Sequence, residues 1–231
     1  MKKTIASLLI IAILAACKTE KKNTMFVQGE VKNLKKGILY LQKMKDTLAV
    51  TVDSIVLDGI NTFTLADEVE SPELYFLSLN KSPSKQISFF GEKGTITINT
   101  KLDKFVYGAT INGLTNQQLL DEYNEMKRKF SDKRLDLIKA DFDSKKSGDS
   151  IKIDSIENLI KGLIKRKYYY TTNFAVNHPD NEIAPYLALT ELFDANITLL
   201  DTINNSLTPK VKVSKYGKKL EEFIVGIKSK E

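Results

Sequence analysis

Cys17 is the only cysteine and His178 the only histidine in this chain. Any nucleophilic, redox or metal chemistry must therefore be built around these two or around carboxylates and hydroxyls. A lone thiol makes no Cys-x-x-Cys pair and no zinc knuckle. His178 opens His178-Pro179-Asp180-Asn181, a sequence that reads as a turn between helices; a general base or metal ligand needs close partners in space, which a sequence does not show, and a turn histidine is the expectation. Asp53-Ser54 could form a catalytic pair, but no Gly-x-Ser-x-Gly elbow exists, and such a pair near a strand end satisfies backbone groups. Asp141-Phe142-Asp143, followed by Gly148 and Asp149, hints at a calcium loop. Such a loop needs glycine at its sixth position and glutamate at its twelfth, where Lys146 and Lys152 stand. Lys165-Arg166-Lys167 before Tyr168-Tyr169-Tyr170 mixes base and aromatic as a single-strand binding surface would. On a helix, however, consecutive tyrosines point in different directions. The expectation is that some rings pack and the cations stay solvated. No phosphate-cradling glycine loop and no His-Glu-x-x-His is present. These readings leave no expected catalytic residue, metal, cofactor or nucleic-acid partner.

The N-terminus is more specific. Lys2 and Lys3 precede an apolar run from Ile5 to Ala16. A helix crossing the hydrocarbon needs about 20 apolar residues, so this run fits a secretory signal. The segment Leu14-Ala15-Ala16-Cys17 resembles the lipobox of bacterial lipoproteins. That resemblance implies cleavage before Cys17, acyl chains on its sulfur and new amino group, and attachment to a membrane through those chains. More than one chain would make the attachment durable. Acylation would also account for an odd cysteine in an exported protein. Residues 1–17 are then a signal peptide and 18–24 a polar tether. Lys18 and Thr19 follow the cysteine where an acidic run would mark surface export, so the expected location is lipid-anchored and periplasm-facing, at the outer membrane.

Residues 1–17 carry two lysines and no acid, so the net charge drops from +6 to +4 without them. That mild excess suits solubility or attraction to anionic lipid. Apolar residues make up 42% and charged residues 28% of the chain, enough to build a core in one large or two small domains.

Two grammars follow. From Met25 to Asn112 apolar residues alternate or cluster briefly between turns. Phe26 to Val31, Ile38 to Leu41, Val50 to Leu57, Thr62 to Leu65, Leu74 to Leu79, Ile87 to Phe90, Thr95 to Thr100 and Phe105 to Tyr107 read as strands. Asp58-Gly59 reads as the turn of a hairpin, and Gly91-Glu92-Lys93-Gly94 as another turn. From Thr115, a candidate cap, the period becomes helical through Leu119, Tyr123, Met126, Phe130, Leu137 and Phe142. Asp143 to Asp149 reads as a break. A second long helix carries Ile153, Ile156, Ile160, Leu163, Ile164 and Phe174; a third spans Ala184 to Phe193; Ser214 caps a last one through Leu220, Phe223, Ile224 and Ile227. The expected fold is α+β. Residues 25–113 would be an antiparallel β-sandwich or partly open barrel, and 114–231 an antiparallel helical bundle.

Phe26-Val27-x-Gly29-x-Val31, Ile38-x-Tyr40-Leu41, Val52-Asp53-Ser54, Ser71-Pro72-x-x-Tyr75, Phe89-Phe90-x-Glu92-x-Gly94-x-Ile96-x-Ile98 and Val106-x-Gly108-x-x-x-Asn112-Gly113 resemble a domain of unknown function. It is found in Gram-negative lipoproteins ahead of thioredoxin-like domains of the thiol-disulfide interchange or peroxiredoxin type. The helical part, with Asn177-His178-Pro179-Asp180-Asn181, is similar to the linker region there. The Cys-x-x-Cys of the active relatives is absent, so no redox role carries over to any residue. The resemblance implies a non-enzymatic, lipid-anchored binding or scaffolding protein of the envelope, accessory to thiol-disulfide proteins, with an envelope protein or small ligand as partner. The alternatives are an envelope hydrolase using Asp53, Ser54, Glu92 or His178, and a periplasmic carrier of a small ligand.

Overall fold

The structure, a computed structural model, describes residues 24–230. The expected signal with Leu14, Ala15, Ala16 and Cys17, and residues 18–23 of the tether, lie outside the described residues.

Eight strands form two four-stranded sheets: β1 Thr24–Lys32, β2 Lys36–Lys45, β3 Leu48–Asp58, β4 Thr62–Glu68, β5 Glu73–Leu79, β6 Gln86–Gly91, β7 Gly94–Lys101 and β8 Thr110–Asn112. One sheet has the order β4-β1-β7-β8 and the other β3-β2-β5-β6. Their inner faces follow the period of two: Met25, Val27 and Val31 on β1, Phe63 and Leu65 on β4, and Ile96 and Ile98 on β7 are buried against Leu39, Leu41, Tyr75, Leu77 and Phe89. Asp67 on β4 joins the sheets by accepting from the Tyr75 hydroxyl at 2.7 Å and from Lys43 Nζ at 2.6 Å.

The sandwich is as expected, with three local differences. First, β1 and β7 pair in parallel, with Met25 opposite Gly94 and Lys32 opposite Lys101. At their contact a Cβ on Gly29 would sit 1.8 Å from the Ile98 carbonyl oxygen, so only glycine fits. Second, Asp58-Gly59 is no hairpin. β3 pairs with β2 and β4 with β1, so this turn carries the chain from one sheet to the other. It is pinned by Gly59 N–H donating to the Lys35 carbonyl and Val31 N–H to the Asn61 carbonyl. The tight hairpin is instead Asp46-Thr47 between β2 and β3, with Asp46 at φ 56°. Third, Phe105 to Tyr107 is a turn following a short 3-10 segment at Leu102–Lys104, and the last strand comes later. The chain must reverse there so that β8 can run antiparallel to β7; the Thr100 hydroxyl donates to the Phe105 carbonyl at 2.7 Å and holds the reversal.

The helices are α1 Thr115–Ser147, α2 Ser150–Asn177, α3 Ile183–Glu191, α4 Ile197–Ser206, α5 Pro209–Lys212 and α6 Lys215–Lys228. The break between α1 and α2 is shorter than expected: only Gly148 and Asp149 interrupt the helices. Gly148 takes φ 74° and its N–H donates to the Lys145 carbonyl, while the Asp149 side chain accepts from Lys152 N–H. Ser214 caps α6 as expected, accepting from Gly217 N–H at 3.3 Å. The helices α4 and α5 were not legible as periodic segments. The buried apolar residues Ala175, Ala184, Ala188, Leu200, Ile203 and Leu220 form the core joining α2, α3, α4 and α6.

Candidate binding cleft and the junction that positions it

The sandwich meets the bundle where two edges need cover. β6 bonds only to β5, so its outer edge would expose backbone groups. The first turn of α1 lies against it, and Phe90 N–H donates to Gln117 Oε1 at 2.7 Å. Thr115 does not cap α1. The turn between β6 and β7 does so from across the chain: Glu92 Oε1 accepts from Asn116 N–H at 2.8 Å. Asn116 in turn caps α3, its Oδ1 accepting from Ile183 N–H at 2.9 Å, while its amide nitrogen donates to both Glu92 and Glu182. Asn116, Gln117 and Glu182 are buried, and every polar atom of the Asn116 side chain has a partner. Burial raises the Glu182 carboxyl above the ordinary range, with Lys210 and Asn116 pulling the other way.

The second contact is made by α6. Tyr216 accepts from Leu74 N–H at 3.1 Å, and its ring packs against Tyr186 and Phe90. Lys215 donates to the Met44 carbonyl at 2.7 Å and pairs with Glu73. Together these contacts set the height of α3 against α1 and α2.

That placement opens a cleft of about 250 Å³ at the far end of α3. From α1 come Lys127, Phe130, Ser131 and Arg134; from α2 Leu163, Ile164, Lys167 and Tyr168; from α3 and the turn after it Thr190, Glu191, Phe193 and Asp194. Its lining mixes apolar and charged side chains: Leu163 is buried and Glu191 largely so, while Phe193 is exposed. Glu191 accepts from Lys127 Nζ at 2.5 Å and from Lys167 Nζ at 2.7 Å. Burial alone would raise this carboxyl, but the two lysines outweigh it and hold it below the ordinary range. Tyr168 donates to Asp194 at 2.8 Å. Lys127 and Glu191 also border a second cavity of about 200 Å³, between Leu74 and Ser88 on the sheet side and Tyr123 and Tyr186 on the helices. The ion pair therefore partitions two cavities.

The residues singled out from sequence do not meet. Asp53 accepts from Ser54 N–H and from Ala66 N–H, both at 2.8 Å, a backbone role tying β3 to β4. Glu92 is engaged by Asn116, and the His178 ring packs on Phe174 with centroids 4.7 Å apart. Asp141 lies on α1, bonded to Lys145. Tyr168, Tyr169 and Tyr170 do diverge: Tyr170 stacks near Tyr123 and Phe130, Tyr168 bonds Asp194, and Tyr169 stays exposed. Of the three cations before them, Lys167 is not solvated but pairs with Glu191. Lys127 and Glu191, 64 positions apart, carried no local signal. Glu182, directly before Ile183, was the local signal for the start of α3. Among the described residues no group of three His, Cys, Asp or Glu side chains is arranged to hold a metal ion.

Residues 25–120 match the family model of Domain of unknown function (DUF4369). The matched segment runs from the second residue of β1 through β8 and the first six residues of α1, and includes Glu92, Asn116 and Gln117. No curated protein and no solved structure matches the chain.

Proposed function

We propose that this chain is a lipid-anchored, non-enzymatic envelope protein that holds a partner through the cleft between α1, α2 and α3. The observation that carries the reading is Cys17 at the end of Leu14-Ala15-Ala16, behind Lys2, Lys3 and a short apolar run, a few residues ahead of the domain that matches the family. Cleavage before Cys17 and acylation of its sulfur and amino group would place the cleft at a membrane facing the periplasm. The partner would be an envelope protein, with thiol-disulfide proteins that carry the same domain as the first candidates. The cleft favours an apolar side chain with an acidic group beside it: Phe130, Leu163, Ile164 and Phe193 offer apolar contact, and Arg134 adds a cation beside acids that are engaged by Lys127, Lys167 and Tyr168.

The test is Cys17→Ser in the native envelope. The expected result is loss of labelled palmitate and release from membranes by a high-salt wash. A variant that still takes up palmitate and survives the wash overturns the reading. Proximity labelling from the acylated protein, compared with Ile164→Asp, then reports the partner: neighbours lost in the variant are those held by the cleft. A second reading, a carrier of a small ligand, draws on the adjoining cavity behind Lys127 and Glu191. Mass spectrometry of the purified protein separates the two, since a carrier releases a stoichiometric small molecule on denaturation.

A further inference from the structure

The outer face of α1 holds an apolar strip that neither the cleft nor the junction uses. Toward its C-terminal end α1 is held through Leu137, which packs with Ile156 and Leu163 of α2. Away from that seam, Leu135, Ile138 and Phe142 are 63%, 46% and 68% exposed. At about 100° per residue these three fall in one strip about 60° wide. Charges are sorted around it. Arg128, Lys139 and Lys146 border one side, and Lys145 the other together with Arg134, which also lines the cleft. The acids Asp132, Asp136 and Asp143 lie farther round the helix, behind the first basic row. Asp141, on the second side, is engaged by Lys145 at 2.8 Å. From Lys127 to Lys167 there are thirteen Lys and Arg against seven Asp and Glu, a net +6 equal to that of the whole chain.

A single exposed leucine needs no explanation; an apolar strip between two basic rows does. Among the described residues no helix is long and apolar enough to cross a membrane, so contact along this face is contact with a surface. A stable protein interface covers about 800 Å² per partner, far more than a strip this narrow presents. A bilayer accepts such a strip at any register, and its anionic headgroups complement both basic rows.

We propose that the outer face of α1 rests on an anionic lipid surface, with Leu135, Ile138 and Phe142 entering the boundary between headgroups and acyl chains. This contact goes beyond the acyl anchor and does not depend on it.

The chain contains no tryptophan, so one introduced indole reports its own surroundings. F142W is compared with Y107W, whose position in the sandwich is 98% exposed. Each full-length protein is mixed with vesicles of phosphatidylcholine alone or of phosphatidylcholine with phosphatidylglycerol. The expected result for F142W is a blue shift and quenching by brominated acyl chains on the anionic vesicles only, both shrinking as salt rises and lost when K139E and K146E are added; Y107W stays unchanged. An unshifted F142W on anionic vesicles overturns the proposal, whether or not the chain sediments with them. Sedimentation with neutral vesicles reports attachment through the N-terminus separately. A lipid-free shift that grows with protein concentration would assign the face to a second copy, and an equal shift with polyglutamate in place of vesicles would assign it to an acidic protein; either outcome also overturns the proposal.

Discussion

Glu191 shows how one carboxylate can set the pH behaviour of a site. Its folded pKa is depressed, so its contribution to stability is fully present above the unfolded value of about 4.3 and is lost as pH falls through the lower folded value. Glu191→Gln leaves Lys127 and Lys167 without their shared acceptor. Both lysines are partly exposed, so the expected loss at neutral pH is about 1–2 kcal/mol, below that of a fully buried pair. Urea titrations of both proteins across the acid range check this: the gap should close below about pH 4, and a gap that persists there would assign the loss to packing. At this scale the sequence was informative where bonds are local. Asp53 serving backbone groups and the divergence of the three tyrosines were both legible, though not that one of those groups, Ala66 N–H, lies on β4. The Lys127–Glu191–Lys167 group was not, because only the fold brings residues from three helices together.

Among the elements, the distal halves of α1 and α2 stand out. Their shared core is small, made of Leu137, Ile156 and Leu163 with Phe130, Ala140 and Ile160 beside them, while Ile151 near the tip is 83% exposed. Little apolar contact means low local stability. Hydrogen exchange should therefore be fastest at residues 138–158 and slower at 116–130 and 165–177, where the same helices meet the aromatic cluster and the bundle core. Uniform protection along α1 would contradict this. Long helices were readable because their apolar period is sustained over many turns. The hairpin at Asp58-Gly59 was misplaced because a turn signal encodes a reversal and says nothing of which sheet receives the next strand. The short helix α4 escaped because it spans ten residues with only Leu200, Ile203 and Asn204 buried; Asn196, whose side chain accepts from Thr198 N–H, was the signal that could have revealed it.

For the whole molecule the question is whether sandwich and bundle unfold as one. Asn116 is the shared element: its backbone N–H receives the Glu92 cap at the start of α1, while its side chain bonds Glu92 in the turn after β6, Glu182, and Ile183 N–H at the start of α3. Asn116→Ala removes the acceptor for Ile183 N–H and the donor to two acids, in a buried place, at an expected cost of about 2–4 kcal/mol. The informative readout is cooperativity. Near-ultraviolet and far-ultraviolet circular dichroism should report one urea transition in the parent and two in the variant; a single shifted transition would mean that the Tyr216 and Lys215 contacts suffice. The division into β and helical parts was legible from the change of period near Thr115, but the polar hub between them was not, since Glu92, Asn116 and Glu182 lie far apart in sequence and look like ordinary surface residues.

The parallel pairing of β1 with β7 carries a consequence for how the chain comes into being. Met25, Val27 and Val31 are made first, yet the strand that flanks them on one side begins only at Gly94. A ribosome or a translocation pore releasing the chain from its N-terminus must emit seven strands before that sheet can close, and the earliest strand lacks one of its two neighbours until then. Such long-range closure is slow and invites misassociation. The vulnerable moment for this protein is thus its synthesis, and a holding chaperone at the exit site would act on residues that are fully hidden once folding is complete.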